Sequence, residues 1–158
     1  METVRLGKTG IVTNKNGFGA LPVQRVSDEE AVRLLRKAYE GGMTYFDTAR
    51  YYTDSEHKLG LAFEGMREKI FIATKTGAMT PEDFWKELGI SLANLRTDYI
   101  DVYQFHNPAF CPKPGDGSGL YECMLEAKAQ GKIRHIGITN HRLKVAEEAI
   151  ASSATFRR

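Results

Sequence analysis

Five times along this 158-residue chain, an apolar run of strand length is followed by an amphipathic run of helical length, at a repeat of about 30 residues. The strand-type runs fall at residues 17–21, 43–46, 69–74, 99–105 and 133–138. The third has almost no polar alternation, as a strand covered on both faces should have. The helical runs carry start and stop signals. Ser27 and Glu30 form a capping box, Ala31, Val32, Leu35 and Ala38 follow at helical spacing, and Gly41 and Gly42 end the run. A short helix is expected over 55–64. Thr80-Pro81-Glu82-Asp83 opens another with a cap, a proline in the first turn and two acids, and Phe84, Leu88, Leu92 and Leu95 give it an apolar stripe. Two more are expected over 118–130 and 142–151. Ahead of the repeat, residues 4–13 read as a β-hairpin around Gly7 and Gly10. Strict strand–helix repetition implies parallel strands joined by helical crossovers, an α/β fold.

The repeat places particular residues at strand ends. Ala20, Asp47, Lys75, His106 and Asn140 close the five strands, at intervals of 27, 28, 31 and 34 residues. In a barrel of βα units the C-terminal strand ends share one rim, so Asp47, Lys75 and His106 should converge there. Tyr52 lies five residues beyond Asp47 and leans over the same rim. A tyrosine hydroxyl with a pKa of about 10 is a poor acid near neutrality. A lysine ammonium nearby favours the phenolate, and an aspartate paired to that lysine holds it charged and oriented. With an imidazole to polarise a carbonyl oxygen, the four side chains form a coherent proton-donor system.

These residues resemble those of the aldo-keto reductase family. The resemblance is carried by Phe46-Asp47-Thr48-Ala49-Arg50-Tyr51-Tyr52-Thr53-Asp54-Ser55-Glu56-His57-Lys58-Leu59-Gly60 and by Ile72-Ala73-Thr74-Lys75. It continues through Asp98-Tyr99-Ile100-Asp101-Val102-Tyr103-Gln104-Phe105-His106 and Gly131-Lys132-Ile133-Arg134-His135-Ile136-Gly137-Ile138-Thr139-Asn140, four ordered motifs at matching spacing. It implies an NADP(H)-dependent oxidoreductase that reduces a small aldehyde or ketone. Tyr52 would be the proton donor, Asp47 and Lys75 would tune it, and His106 would position the substrate carbonyl. Thr139 and Asn140 match the pair that binds the nicotinamide carboxamide, and Gly19, Ala20 and Asp47 match positions near the cofactor. Two positions depart from the pattern. Ala20 stands where the family more often has threonine, and Thr53 where a glycine usually follows the tyrosine.

The expected fold is therefore a partial (β/α)8 TIM-type barrel, about five βα units behind an N-terminal hairpin. Eight units typically need about 250 residues. Residues 1–158 are read as a single incomplete barrel domain, with the last three units missing and a tail, 151–158, unlike the family's continuation. The missing region would grip the cofactor's pyrophosphate and 2′-phosphate, so activity is expected to be impaired. An open sheet also leaves unpaired edges, which predicts a homo-oligomer, strand rearrangement or aggregation. The alternative is a non-catalytic remnant that self-associates. A phosphosugar-type barrel with Asp47 and His106 as acid and base fits the strand rhythm but leaves Tyr52 and Lys75 without a role.

Other features exclude functions. Lys+Arg 22 against Asp+Glu 20 gives a net charge of +2, which favours neither nucleic acid nor membrane surfaces. No stretch reaches the ~20 apolar residues of a membrane span, and the first residues lack a signal-peptide core; a cytoplasmic location is expected. Cys111 and Cys123 fit no disulfide scaffold and read as free thiols, and His57, His135 and His141 lack ligand spacing, so no metal is expected. Gly7-Lys8-Thr9 is not a phosphate loop, because Glu2 stands where the first glycine belongs. Residues 115–119 read either as a substrate-loop segment or as a flexible connection, and Trp85 and Tyr51 as packing aromatics.

Overall fold

The computed structural model describes residues 2–152; the greater part of the 151–158 tail lies outside the described residues. An antiparallel pair, β1 (Thr3–Arg5) and β2 (Val12–Asn14), comes first, in the register Val4 opposite Thr13. Five parallel strands follow: β3 (Phe18–Gly19), β4 (Tyr45–Asp47), β5 (Phe71–Thr76), β6 (Ile100–His106) and β7 (Ile133–Thr139). Between and after them lie α1 (Asp28–Glu40), α2 (Ser55–Ala62), α3 (Pro81–Leu95), α4 (Leu120–Ala129) and α5 (Leu143–Ala151).

The strands stand in chain order, β3-β4-β5-β6-β7, all parallel. With the usual right hand of such crossovers, the helices that join successive neighbours lie on one face of the sheet. With no reversal of strand order there is no switch point of the doubly wound kind, and the sheet is the arc of an α/β barrel. The core lies between sheet and helices. Phe46 is fully buried there, its ring centroid 5.8 Å from that of Phe18 and 4.6 Å from that of Phe63. Phe84 packs edge-on against Tyr103 at 5.7 Å. Emptying the Phe46 site to alanine is worth about 4 kcal/mol on the usual scale for buried aromatics.

Local signals explain most element ends. The Ser27 side chain accepts from the Glu30 backbone N–H, and the Thr80 side chain from that of Asp83. The Ser27–Glu30 box is only half made, because the Glu30 carboxylate accepts from Nε and Nη2 of Arg33 at 2.7 and 2.6 Å. The first strand is shorter than residues 17–21. Its ladder ends where the Ala20 N–H donates to the Asp47 carbonyl at 2.8 Å, and Pro22 then has no N–H to continue it; Leu21–Arg25 curls into a 3-10 turn. The third strand begins two residues later than expected. Arg67–Lys69 forms a 3-10 turn, held by Arg67 donating to the carbonyls of Ile70 and Tyr99 and to the buried Asp101 carboxylate.

Candidate active site

Each βα unit contributes one side chain to the C-terminal rim. Asp47 ends β4, Lys75 is the penultimate residue of β5, and His106 ends β6. Parallel register brings them level, with Asp47 opposite Ala73 and Lys75 opposite Gln104. Lys75 Nζ donates to Asp47 Oδ1 at 2.5 Å and to the Thr48 carbonyl at 2.6 Å. The lysine side chain is 5% exposed and the aspartate 37%, so the cation is sunk below the rim and its partner carboxylate faces solvent. Tyr52 closes over them. Lys75 Nζ lies 5.0 Å from the Tyr52 ring centroid, and the His106 ring meets Tyr52 edge-on at 5.7 Å. Sequence separations of 28 residues between Asp47 and Lys75 and 54 between Tyr52 and His106 thus collapse into one cluster.

His106 is half-buried, and its pKa falls below the ordinary imidazole value. Burial is the main cause; the Lys75 ammonium and His141 push the same way, and the Asp47 and Glu87 carboxylates oppose them. The neutral imidazole, with one N–H donor and one acceptor nitrogen, is the favoured form.

The loop carrying Tyr52 is pinned at several points. The Arg50 guanidinium pairs with the buried Glu56 carboxylate, whose other oxygen accepts from Thr74 Oγ1 at 2.7 Å. Thr48 Oγ1 and Ser55 Oγ share a hydrogen bond of 2.8 Å, and Ser55 Oγ donates to the Ala20 carbonyl at 2.8 Å. Glu56 and Ser55 are buried although both lie in the first turn of α2. Polar residues buried at a helix start could have flagged this support, but their partners are tertiary. Gln104, whose Nε2 donates to Asp47 Oδ2 at 3.3 Å, was legible by parity, since it lies two residues before His106 on one strand.

The residues matched to a nicotinamide site lie on the same rim. Gly19 is exposed, pairs with Asp47, and has no atom within 4 Å of where a Cβ would stand, so the surface beside the Asp47 carboxylate is open. Ala20 is fully buried, and Thr139 pairs with His106 across β6 and β7. Asn140 makes two bonds within the protein. Its Nδ2 donates to the Pro108 carbonyl and its Oδ1 accepts from the Arg142 N–H, both at 2.7 Å. Its amide ties two loops together here, and a carboxamide could bind it only by replacing those bonds. The open Gly19–Asp47 ground and the Thr139 hydroxyl fit a flat polar ring.

Known proteins share this fold. The model of the aldo/keto reductase family matches residues 12–156. The chain belongs to the aldo/keto reductase family. L-galactose dehydrogenase of Arabidopsis thaliana is 32% identical over 154 residues, covering 88% of this chain and 48% of the relative. Methylglyoxal reductase DkgB of Salmonella typhi is 36% identical over 136 residues, 81% of this chain and 49% of the relative. Among solved structures, the holo form of an aldo-keto reductase from Bacillus halodurans superposes with a TM-score of 0.85 at 29% identity, over 96% of this chain and 54% of that one. An aldo-keto reductase from Klebsiella pneumoniae in complex with NADPH gives 0.82 at 26% identity, over 95% and 53%. The chain spans about half the length of the relatives it matches. Those relatives are named as reductases and a dehydrogenase, and the chain's five parallel units are part of the family's α/β barrel.

Proposed function

We propose that this chain serves NADP(H)-dependent reduction of a small aldehyde or ketone, with Tyr52 as the proton donor. One observation carries the reading: a buried ammonium, fixed by a carboxylate, lies 5.0 Å from the Tyr52 ring, with the His106 imidazole at that ring's edge. A bound nicotinamide would supply the hydride to the carbonyl carbon. Tyr52 gives its hydroxyl proton to the carbonyl oxygen as that oxygen gains charge. The phenolate left behind faces the Lys75 ammonium, which Asp47 and the Thr48 carbonyl keep in place. His106, favoured in its neutral form, orients the oxygen through its N–H. Gly19, Ala20, Asp47, Thr139 and Asn140 are the residues proposed to hold the nicotinamide end, Asn140 after releasing Pro108. The preference for NADP rests on family members such as the Klebsiella enzyme bound to NADPH. The relatives are about twice as long, so turnover by residues 1–158 is proposed to be weak. The buried thiols Cys111 and Cys123 fit a reducing, cytoplasmic setting.

The test is NADPH titration followed by melting temperature, then NADPH-dependent reduction of methylglyoxal, the substrate class named for DkgB. Saturable NADPH binding and turnover that drops by about 100-fold or more in Tyr52→Phe are expected. Equal rates in the variant would assign the proton to another group. Neither binding nor turnover would favour the self-associating, non-catalytic reading.

A further inference from the structure

Beside the tetrad lies a cleft of about 290 Å³ that none of Asp47, Tyr52 and Lys75 lines. His106 is its border with the catalytic cluster, so His106 has Tyr52 at one edge and the cleft beside it. Most of the wall is apolar, with Met79, Phe105, Phe110 and Leu120 prominent, and among the described residues no carboxylate lines it. One permanent charge does: the Arg142 guanidinium, on an exposed residue, with Nη1 donating to the Pro108 carbonyl at 3.2 Å.

Tyr51 gives the cleft its shape. Its ring stacks on that of His106 at 6.4 Å and 23°. It also lies over Gly77, where a Cβ would stand only 2.1 Å from Tyr51 Cε2, so the ring seats there only because residue 77 has no side chain. Its hydroxyl donates to Glu87 Oε1 at 2.6 Å, while Glu87 Oε2 accepts from Thr76 Oγ1 at 2.5 Å and the Gly77 N–H at 3.0 Å. The Glu87 charge is thereby spent on three donors behind the wall, which leaves Arg142 to set the sign of the cleft.

We propose that this cleft is the binding site for the substrate's side chain, that it selects carbonyl compounds whose apolar chain or aryl group ends in a carboxylate, and that Arg142 and Tyr51 are the specificity-determining residues. The assignment of a carbonyl to the His106 side of the cleft rests on the function proposed above; the selection for an apolar anion stands on the cleft's own chemistry. An apolar chain displaces water from the Met79 and Phe110 walls, and the guanidinium receives the carboxylate in a charge-assisted pair.

The test needs neither cofactor nor turnover, so its failure is separable from failure of the reductase reading. The full chain, carrying methyl-labelled methionine, is titrated by NMR with 4-phenylbutyrate and with the uncharged 4-phenylbutyramide. The acid is expected to shift the Met79 methyl signal and to bind about tenfold tighter than the amide. Arg142→Gln should bring the acid down to the amide's affinity without moving the amide, and Arg142→Lys should keep part of the preference. Tyr51→Ala should weaken both ligands alike. Equal affinities in the wild type, a preference that survives Arg142→Gln, an unmoved Met79 methyl, or no binding by either compound would overturn the proposal.

Discussion

Thr53 has φ +44°, in the left-handed region that a β-branched residue occupies only under strain. It follows the candidate acid at the position where the resemblance leads one to expect glycine, the residue that takes this conformation without strain. Its hydroxyl recovers little, with contacts of 3.3 and 3.2 Å to Gln24 and Asp54 at exposed positions. Thr53→Gly should therefore raise stability by about 0.5–1 kcal/mol, the strain relief exceeding the entropy glycine adds to the unfolded chain; a higher urea midpoint at unchanged slope is the measurement. His106 gives a second prediction at this scale. Burial and the Lys75 ammonium set its folded pKa below that of the unfolded chain. Between the two values the unfolded state binds more protons, so stability is fully present above the unfolded value of about 6.5 and declines as pH falls towards the folded one. NMR titration of the imidazole should show the low value, and Lys75→Met should raise it. A wild-type imidazole titrating at or above 6.5 would contradict this. The tetrad was legible residue by residue because parallel βα units repeat, and position within a repeat fixes position on the rim. The bonds made by Asn140 and Tyr51 were not legible. Their partners, Pro108 and Glu87, lie 32 and 36 residues away, and no periodicity relates them.

Elements meet where side chains are missing. At Gly60, in α2, an added Cβ would stand 2.1 Å from the Asn94 carbonyl oxygen of α3, a backbone atom that cannot swing aside. Alanine there must push α2 away from α3, at a cost of about 3 kcal/mol. Because α2 begins immediately after the Tyr52 loop, the same shift should loosen Glu56 and with it the Arg50 pair. Gly60→Ala should lower both the denaturation midpoint and the reductase rate, whereas Gly89→Ala, inside α3 with nothing within 4 Å of the Cβ, should raise the midpoint by the ~1 kcal/mol that alanine gains over glycine in a helix interior and leave the rate unchanged. Among the described residues, element type followed from sequence at α1 to α5 and at β1 to β7, but not at the 3-10 turns Leu21–Arg25 and Arg67–Lys69. Boundaries failed where tertiary bonds decide them, as at the Arg67 turn, whose anchor Asp101 is 34 residues away. At residues 115–119 the Asp116 carboxylate accepts from the backbone N–H groups of Lys113 and Ser118, a local turn built by bonds across the loop.

At the scale of the molecule the sheet has two ends. Among the described residues β3 pairs only with β4 and β7 only with β6. Each therefore presents a row of backbone N–H and C=O groups that a closed barrel would pair. The face away from the helices is incompletely covered as well. Tyr45, Phe71 and Val102 are half-buried, and Gln104 and Val102 crowd the side on which a Cβ at Gly137 would stand. Burial raises the Tyr45 hydroxyl pKa to about 12, with the Asp47 and Asp101 carboxylates adding to it, so this face mixes apolar area with retained charge. Such a surface gains by meeting another like it, since association removes apolar area from water and pairs backbone groups at once. Purified residues 1–158 are expected to associate with themselves, the weight-average mass in sedimentation rising above 17.7 kDa as concentration increases. Hydrogen exchange at the outward-facing amides of β7 should slow over the same range, which separates edge pairing from non-specific clumping. A single species at monomer mass throughout, with β7 amides exchanging at one rate, would mean that the open edges are stable in water as they stand.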